Sequence, residues 1–382
     1  MAQFGKTFNP NDKTSVTTNL HEAIPLTGTL VSGTYGAFPS DTNVRTYSHG
    51  MFESVYDYPY LSSSANHIFD LAVGGASDIT GTYTALSSST ATMRKRVNVY
   101  NSMAQVLNGF DQKGAMRQFD ENGDLTEGQK YKNVFFINLS RLLYKDEIQK
   151  GTFNLKLKMS GAYGAATNWL EYNDQGAAND YRINSPAGEY GILYVTNQNG
   201  TALTAAPTAP FVNAFSKTGA NGLAFAGLIF YQAGVVVLPI TGTNVNCAFP
   251  STTNPNVGNG MYTASWGTGT LEEMVASGTT DDWANNFRQR LFNMSFNNTT
   301  ELNSSIYFCR VGHNEFNYSG NPSYINESKI VVKQDSTDTP VSYVTTVGLY
   351  SDNNELLAVA KLSEPLRKTP ETEYILRVRL DY

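Results

Sequence analysis

The chain has 382 residues, with 27 Lys or Arg against 33 Asp or Glu, so its formal net charge is −6. Only 16% of the residues are charged, whereas aromatic residues reach 12%. The aromatic content excludes global disorder, and the mildly acidic total argues against a nucleic-acid-binding protein, which carries a basic surface. No run of 18 apolar residues is present, so the sequence predicts no membrane-spanning helix and no membrane partner.

The amino-terminal residues lack the apolar segment of a secretory signal peptide. Two cysteines, Cys247 and Cys309, are too few for a disulfide framework or a four-ligand zinc site. Reduced thiols in a protein that matures in a cytosol are therefore expected. Residues 1–50 show short hydrophobic bursts without a helical period, which predicts an extended arm. Such an arm is either a strand added to a neighbour or a loose terminus.

Two helices are predicted next. The first has possible caps at Ser62 to Ser64, an inward face of Ile68, Leu71 and Ala72, and stop signals at Gly74 and Gly75. The second, over 97–110, repeats apolar residues at spacings of three and four, as one helix face requires.

Asn122 and Gly123 predict a two-residue hairpin turn, because both residue types accept positive φ. The same segment partly resembles a calcium loop, with Asp120 at its first position. Leu125 stands where that loop needs Gly, and Tyr131 where it needs Glu. The hairpin is therefore favoured over a calcium site.

A buried strand over 134–137 is predicted, then a helix over 141–150 capped by Ser140, with Leu142, Leu143 and Ile148 facing inward. Residues 152–159 alternate apolar and polar side chains, which is typical of a half-buried strand. Residues 160–270 read as a β-rich region with a hairpin at 197–200 and a fully buried strand at Val235–Leu238.

The remaining residues predict two helices and then mostly strands. The first helix is capped by Thr270 and the second by Asp281 or Thr280, and the second places Trp283, Phe287 and Leu291 on one face. The predicted strands are 306–310, 330–333, 341–350, 356–361 and 374–382, with a hairpin at 351–355.

No catalytic, metal or cofactor site is predicted. The pairs Glu272–Glu273 and Asp281–Asp282 stand at helix starts, where capping explains them. Cys309 and His313 are too far apart on a strand for a nucleophilic pair unless the chain turns between them. Phosphate-binding and nucleophile-elbow motifs are absent from the sequence. The basic run 94–96 is read as a solvated helix start or a contact with an acidic partner.

A resemblance to virion structural proteins of contractile-tailed (myovirus-type) bacteriophages covers several segments. These proteins belong to phages of marine bacteria and cyanobacteria. Their carboxyl-terminal part is similar to residues 293–325 and 343–382, which include SIYFCRVGHNEFNYSGNPSYI and YVTTVGLYSDNNELLAVAKL. Their amino-terminal half is similar to residues 55–74, 99–114 and 134–157. The resemblance implies a component of the virion and carries over no catalytic residue.

The sequence therefore predicts an α+β protein, mainly antiparallel β, with several short amphipathic helices and long loops. Three regions are expected: an extended arm over 1–50, a main α+β domain formed by 51–160 together with 271–382, and a β-rich, loop-dominated insertion over 160–270. Tyr and Phe are favoured in interface cores and charge is depleted there, so the composition favours an assembly subunit.

The predicted function is that of a non-enzymatic virion structural subunit in the tail or baseplate. It would bind other virion proteins and copies of itself during assembly in the host bacterial cytoplasm, without cofactor or nucleic acid. A decoration or connector protein of the head or neck is the alternative placement. A carbohydrate- or receptor-binding module is the alternative from another class, with Trp169, Tyr172 and Trp266 as stacking platforms.

Intersubunit contacts are expected in the arm, in the hairpin 349–361 and in the terminal strand, whose alternation is unbroken up to its end. The candidate interface residues are Leu349, Leu356, Leu357, Val359, Tyr374, Leu376, Val378 and Leu380.

Overall fold

The computed structural model is mainly antiparallel β, with 52% of the described residues in strands and 13% in helices. This confirms the predicted β-rich character. The structure describes residues 5–25, 41–77, 91–124, 130–158, 169–197, 224–240, 279–281, 283, 287, 291–319, 321–326, 329–330, 335 and 337–382. The predicted helix at 271–278, Trp266 and Cys247 lie outside these residues, as does nearly all of the hairpin at 197–200.

The strands of the described residues are β1 (Lys13–Pro25), β2 (Val44–Arg45), β3 (Phe52–Tyr56), β4 (His67–Gly75), β5 (Phe119–Asp120), β6 (Lys130–Tyr131), β7 (Asn133–Leu139), β8 (Glu147–Ile148), β9 (Asn154–Lys158), β10 (Trp169–Asn173), β11 (Arg182–Ser185), β12 (Gly188–Asn197), β13 (Ala224–Phe230), β14 (Val235–Pro239), β15 (Leu291–Val311), β16 (Ile325–Asn326), β17 (Lys329–Ile330), β18 (Ser342–Tyr350), β19 (Leu356–Lys368) and β20 (Tyr374–Asp381). The helices with described bounds are α1 (Ala91–Leu107), α2 (Arg141–Tyr144) and the 3₁₀ turns Pro10–Asp12, Asp41–Asn43 and Pro322–Tyr324. Thr280, Asp281, Trp283 and Phe287 are also helical, as predicted for this segment.

The chain divides into two compact units. The terminal unit contains Met1–Leu20 and Glu301–Tyr382, and the central unit contains His21–Thr300. Strands β1 and β15 have residues in both units. Fourteen of the described strands belong to one sheet, and every strand pair with a described register is antiparallel.

The central unit is built on the strand order β9-β10-β12-β13-β14-β7-β4-β3-β2, with β11 paired to β12. Alternate side chains of its middle strands enter two different hydrophobic cores. In β14, Val236 and Leu238 lie in one core, whereas Val235 and Val237 lie in the other. A strand that is buried on both faces reads as a continuous apolar run, and the predicted buried strand Val235–Leu238 is confirmed.

Helix α1 packs against the second core through Tyr100, which is 0% exposed. The Tyr100 hydroxyl donates a hydrogen bond to the Tyr131 carbonyl at 2.8 Å, and the Tyr100 and Phe119 rings meet edge to face at 5.4 Å. A Cβ at Gly74 would lie 2.6 Å from the Phe136 ring and 3.1 Å from Tyr100 Cβ. Glycine at this position therefore allows the helix and the sheet to approach closely. The predicted helix over 97–110 is confirmed, with the bounds Ala91–Leu107.

The predicted helix that follows Ser62 to Ser64 is wrong, because residues 67–75 form strand β4. Phe69, Leu71 and Val73 alternate into one core, so a period of two prevails over the helical spacing of Ile68, Leu71 and Ala72. The partner strands β3 and β7 hydrogen-bond to both edges of β4.

The predicted helix over 141–150 is wrong beyond its first turn. Lys145 has a φ of 58°, which ends α2, and Glu147–Ile148 then pairs with β15 as β8. Ser140 makes no side-chain capping bond, and Leu142 is 87% exposed rather than inward-facing. Leu291, predicted on a helix face, begins β15.

The two-residue hairpin at Asn122 and Gly123 is also wrong. Asp120 pairs with Lys130, so the connection between β5 and β6 is longer than two residues. Gly123 does adopt a positive φ of 72°, and its carbonyl accepts a hydrogen bond from the Tyr190 hydroxyl at 2.9 Å.

The terminal unit contains the first part of β1, the second part of β15, and β20. Strand β15 pairs with β20 from Ser304↔Asp381 to Val311↔Tyr374. Strand β1 is the neighbour of β15 in the sheet, and Thr17 Oγ1 donates to Asn303 Oδ1 at 2.8 Å. The predicted arm therefore contains a strand that is added to its own chain. The hairpins β16–β17 and β18–β19 are separate two-stranded sheets.

Candidate functional site

The terminal unit has very little apolar core. Among its described residues only Leu349 (7% exposed) and Val378 (9% exposed) are buried hydrophobic side chains. Both hydrophobic cores of the described structure consist of central-unit residues. A unit of this kind gains little from apolar burial, so its surfaces are the first place to look for a binding function.

The hairpin β18–β19 carries several of the exposed apolar side chains of this unit. Its turn is closed by Ser351, whose N–H donates to the Glu355 carbonyl at 2.8 Å, and by Asn354, whose N–H donates to the Ser351 carbonyl at 3.0 Å. Asn354 adopts a φ of 61°, a conformation that Asn tolerates better than most residues. The predicted hairpin at 351–355 is thereby confirmed.

The two faces of this hairpin differ. Leu349 lies opposite Ala358 and Val347 opposite Ala360, and these four side chains are buried or half-buried. The other face and a bulge carry exposed apolar residues, which we call the hairpin-tip surface. Its members and their exposed fractions are Tyr350 (58%), Leu356 (52%), Leu357 (68%) and Val359 (52%).

Gly348 lies beneath this surface, on the same face as Tyr350. A Cβ at Gly348 would be 2.9 Å from the Tyr350 ring and 3.3 Å from a Leu356 methyl group. The missing side chain therefore allows the Tyr350 ring to lie across the strand. An aromatic ring over a strand glycine holds the local backbone in place and presents a broad apolar contact.

The opposite end of the hairpin is anchored by Lys368, which is 0% exposed. Its Nζ donates to the His313 carbonyl at 2.9 Å, to Asn317 Oδ1 at 2.7 Å and to the Thr369 carbonyl at 2.7 Å. Removal from water lowers the pKa of Lys368. The hairpin is therefore fixed at its base and exposed at its tip.

A cleft of about 760 Å³ lies between the hairpin, the amino-terminal segment and β15. Its polar side chains include Lys6, Asp12 and Arg310, and its apolar ones include Phe8 and Leu349. The Arg310 Nε donates to Asp12 Oδ1 at 2.6 Å, and this hydrogen bond is the main reason that the pKa of Asp12 is lowered. The cleft thus combines an ion pair with an apolar wall.

Cys309 also lines this cleft, but it is not joined to His313. Burial and the neighbouring Asp12 raise the pKa of the Cys309 thiol, which disfavours the thiolate. His313 Nε2 instead contacts Glu373 Oε1 at 2.9 Å. The geometry does not assemble a nucleophilic pair from these residues.

Three of the predicted interface residues are exposed, and the other five are buried or half-buried. Leu356, Leu357 and Val359 are exposed, and Leu349 and Val378 are buried. Tyr374, Leu376 and Leu380 are half-buried on one face of β20. Their role in an interface stays a prediction.

The opposite face of β20 is the exposed one, and none of its residues is among the predicted interface residues. It carries Ile375 (60% exposed), Arg377 and Arg379. The alternation of the sequence over 374–382 already places these three side chains together on one face, at the odd-numbered positions. Hydrophobicity alone selected the even positions instead.

Two of the buried carboxyl groups in the central unit are Glu53 and Asp174. Glu53 is 1% exposed, and burial together with the nearby charge of Asp281 raises its pKa to about 8. Asp174 is 0% exposed and accepts hydrogen bonds from the Gly151 and Phe153 N–H groups and from the Tyr231 hydroxyl, at 2.7–3.0 Å. Those three bonds explain Asp174 as a structural acceptor, even though burial raises its pKa.

Within the described ranges, no group of three or more His, Cys, Asp or Glu side chains could hold a metal ion. None of the helices in those ranges combines the length and hydropathy needed to traverse a bilayer. No protein-family model matches the chain, and neither the curated proteins nor the solved structures contain a match to it.

Proposed function

We propose that this chain is a non-enzymatic structural subunit of a tailed-bacteriophage particle. It would act in the tail or baseplate through protein–protein interfaces formed during assembly in the host cytoplasm. The resemblance of the sequence to phage virion proteins supports the particle, and the terminal unit supports the mode of action. We also propose that the whole chain is an α+β protein with several short amphipathic helices.

The observation that carries the proposal is the hairpin-tip surface. A two-stranded hairpin is marginal on its own in water, and β18–β19 pairs with no other strand among the described residues. Its tip nevertheless holds several large apolar side chains in solvent, above a turn fixed by backbone hydrogen bonds. Exposed apolar patches of this kind mark interaction sites, because burying them against a partner is favourable.

A stacking role for Tyr172 in sugar binding is not supported, because this side chain is 1% exposed and belongs to a hydrophobic core. The Trp169 side chain and Trp266, the other two predicted platforms, lie outside the described residues.

The test is complementation in a phage that carries this gene. Chains with Leu356→Asp and Leu357→Asp should be made at normal levels but incorporated at least about tenfold less into particles, since a charge would enter an apolar contact. Leu142→Asp is the control, because Leu142 is an exposed leucine of the central unit (87%, against 52% for Leu356 and 68% for Leu357). Immunoblots of purified particles give the measurement.

Normal incorporation of the double variant would contradict the proposed role of the tip. Absence of the unchanged chain from purified particles would contradict the virion assignment itself. Removing residues 374–382 should also abolish incorporation, because β20 is one of the strands that flank β15 in the terminal unit.

A further inference from the structure

Two exposed surfaces of the terminal unit have complementary chemistry. The first is the hairpin-tip surface, which is bordered by the turn carboxylates Asp352 and Glu355. The second, which we call the β20 outer surface, consists of Ile375, Arg377 and Arg379. The tip combines apolar side chains with two carboxylates, whereas the β20 outer surface combines Ile375 with two guanidinium groups and borders one carboxylate, Asp381, so that its net charge is positive.

The acidic border of the tip is open to solvent. Asp352 and Glu355 are both exposed, and neither forms an ion pair with any described residue. The Glu355 N–H donates to Ser351 Oγ at 3.2 Å, which holds the turn closed and leaves the carboxylate outside it. The tip therefore presents an apolar centre with two adjacent negative charges.

The β20 outer surface lies on an edge strand. Strand β20 pairs with β15 on one side, and no described strand occupies its other side. Ile375 is 60% exposed and lies opposite Arg310, and Arg377 lies opposite Phe308. Arg379 Nε donates to Asp381 Oδ1 at 2.7 Å, whereas Arg377 has no ion-pair partner among the described residues.

Charge decides which of these surfaces can meet. Contact between two tips would bring four carboxylates together, and contact between two β20 outer surfaces would bring together two faces that each have an excess of positive charge, even with Asp381 counted. Juxtaposing like charges at an interface costs free energy, whereas the tip and the β20 outer surface attract each other. Both surfaces are exposed in the single chain, so neither covers the other within it.

We propose that the hairpin-tip surface of one copy of this chain docks on the β20 outer surface of a second copy. This inference rests on the proposed function and names the partner for one of its interfaces. The contact is heterologous, since it joins two different surfaces. When two copies meet in this way, one tip and one β20 outer surface remain free, so further copies can be added. Repeated addition produces a closed ring or an open filament rather than an isolated dimer.

Charge exchange in the purified full-length chain tests the contact. The unchanged chain should form oligomers beyond a dimer in sedimentation-velocity runs over a concentration series, and salt should weaken them. The tip variant Asp352→Lys with Glu355→Lys should associate at least about tenfold more weakly, and so should the strand variant Arg377→Glu with Arg379→Glu.

The decisive variant combines all four substitutions in one chain. Its tip is basic and its β20 outer surface acidic, so association should return toward that of the unchanged chain. In a tip-to-tip contact the four-fold variant would stay dissociated, because all tips would be basic. The matched control is Glu364→Lys with Glu371→Lys, which makes the same charge change at exposed residues outside both surfaces and should leave association unchanged.

Circular dichroism and the melting curve of each variant confirm that it is folded. A monomeric unchanged chain at every concentration, or a four-fold variant as weak as its two parents, would overturn the proposed contact. The particle test is independent of this one. A chain found in particles but monomeric in solution refutes only the contact between copies, whereas a chain that self-associates but is absent from particles refutes only the virion assignment.

Discussion

The central and terminal units use hydrophobic residues in opposite ways. In the central unit, the middle strands alternate between two cores, so that β14 is buried at all five positions. In the terminal unit, β1 is exposed over residues 13–20 and the hairpin β18–β19 exposes most of its tip. One chain therefore combines a central unit with its own hydrophobic cores and a terminal unit whose apolar side chains remain available to partners.

The largest difference between the units should appear in truncations of large apolar side chains. Phe135 is 0% exposed, and its ring lies 5.5 Å from that of Trp283 and 5.7 Å from that of Phe287. Phe135→Ala should lower the free energy of unfolding by about 3–5 kcal/mol, because it removes apolar burial and leaves a cavity. Urea denaturation gives the measurement.

Leu357→Ala is the matched change in the terminal unit. Leu357 is 68% exposed, so the same measurement should change by less than about 0.5 kcal/mol. A larger loss for Leu357→Ala than for Phe135→Ala would reverse the comparison between the units.

A pH dependence should arise from Glu53 of the central unit. Its pKa is raised from 4.5 to about 8, so the folded state holds a proton that the unfolded state releases. Stability contributed by the protonated group is therefore complete below about pH 4.5, falls as the pH rises, and is lost above about pH 8. Glu53→Gln should remove this slope and raise the stability at pH 9 by up to about 4 kcal/mol.

Urea denaturation at pH 5, 7 and 9 measures the slope, and Glu364→Gln provides an exposed control in the terminal unit. If the unchanged chain and the Glu53→Gln variant show parallel stability curves over this range, Glu53 is not held protonated by its surroundings.

Much of this architecture is predictable from local pattern, because a continuous apolar run or a strict alternation leaves few alternatives. Val235–Leu238 and the strand beginning at Tyr374 are examples. Residues 67–75 are different, since their apolar spacing fits a helix and a strand equally well. The strand is favoured over the helix because β3 and β7 pair with the two edges of β4. The apolar spacing within residues 67–75 contains no information about these two partners.

The candidate site shows the same limit. Hydrophobicity identifies Leu349 and Leu357 alike as interface residues, but the first is buried and the second is exposed. Which face of a hairpin is covered depends on the cleft wall supplied by β15 and the amino-terminal segment. Only tertiary contacts determine this, and they also show that Arg377, a charged residue, lies on the open face of β20.

A smaller effect is expected where packing has no room for a side chain. Gly74→Ala would place a methyl group 2.6 Å from the Phe136 ring and 3.2 Å from the Tyr100 backbone, so it should destabilise the central unit by about 1–3 kcal/mol. Gly5→Ala is the control in the terminal unit, where a Cβ would meet nothing within 4 Å. Equal thermal stability of the two variants would show that α1 and the sheet are not packed this closely.

The smallest effect should come from the ion pairs of the terminal unit. Lys6 Nζ lies 2.7 Å from Glu315 Oε2, but both side chains are about 40% exposed and solvent screens them. Lys6→Gln should therefore change stability by less than about 0.5 kcal/mol. Lys130→Gln of the central unit should cost more, about 1–3 kcal/mol, because its partner Asp120 is 0% exposed and would remain buried without this cation. If Lys6→Gln lowered the free energy of unfolding as much as Lys130→Gln, surface ion pairs would stabilise the terminal unit in place of a hydrophobic core. Its exposed apolar residues would then no longer have to be covered by partners.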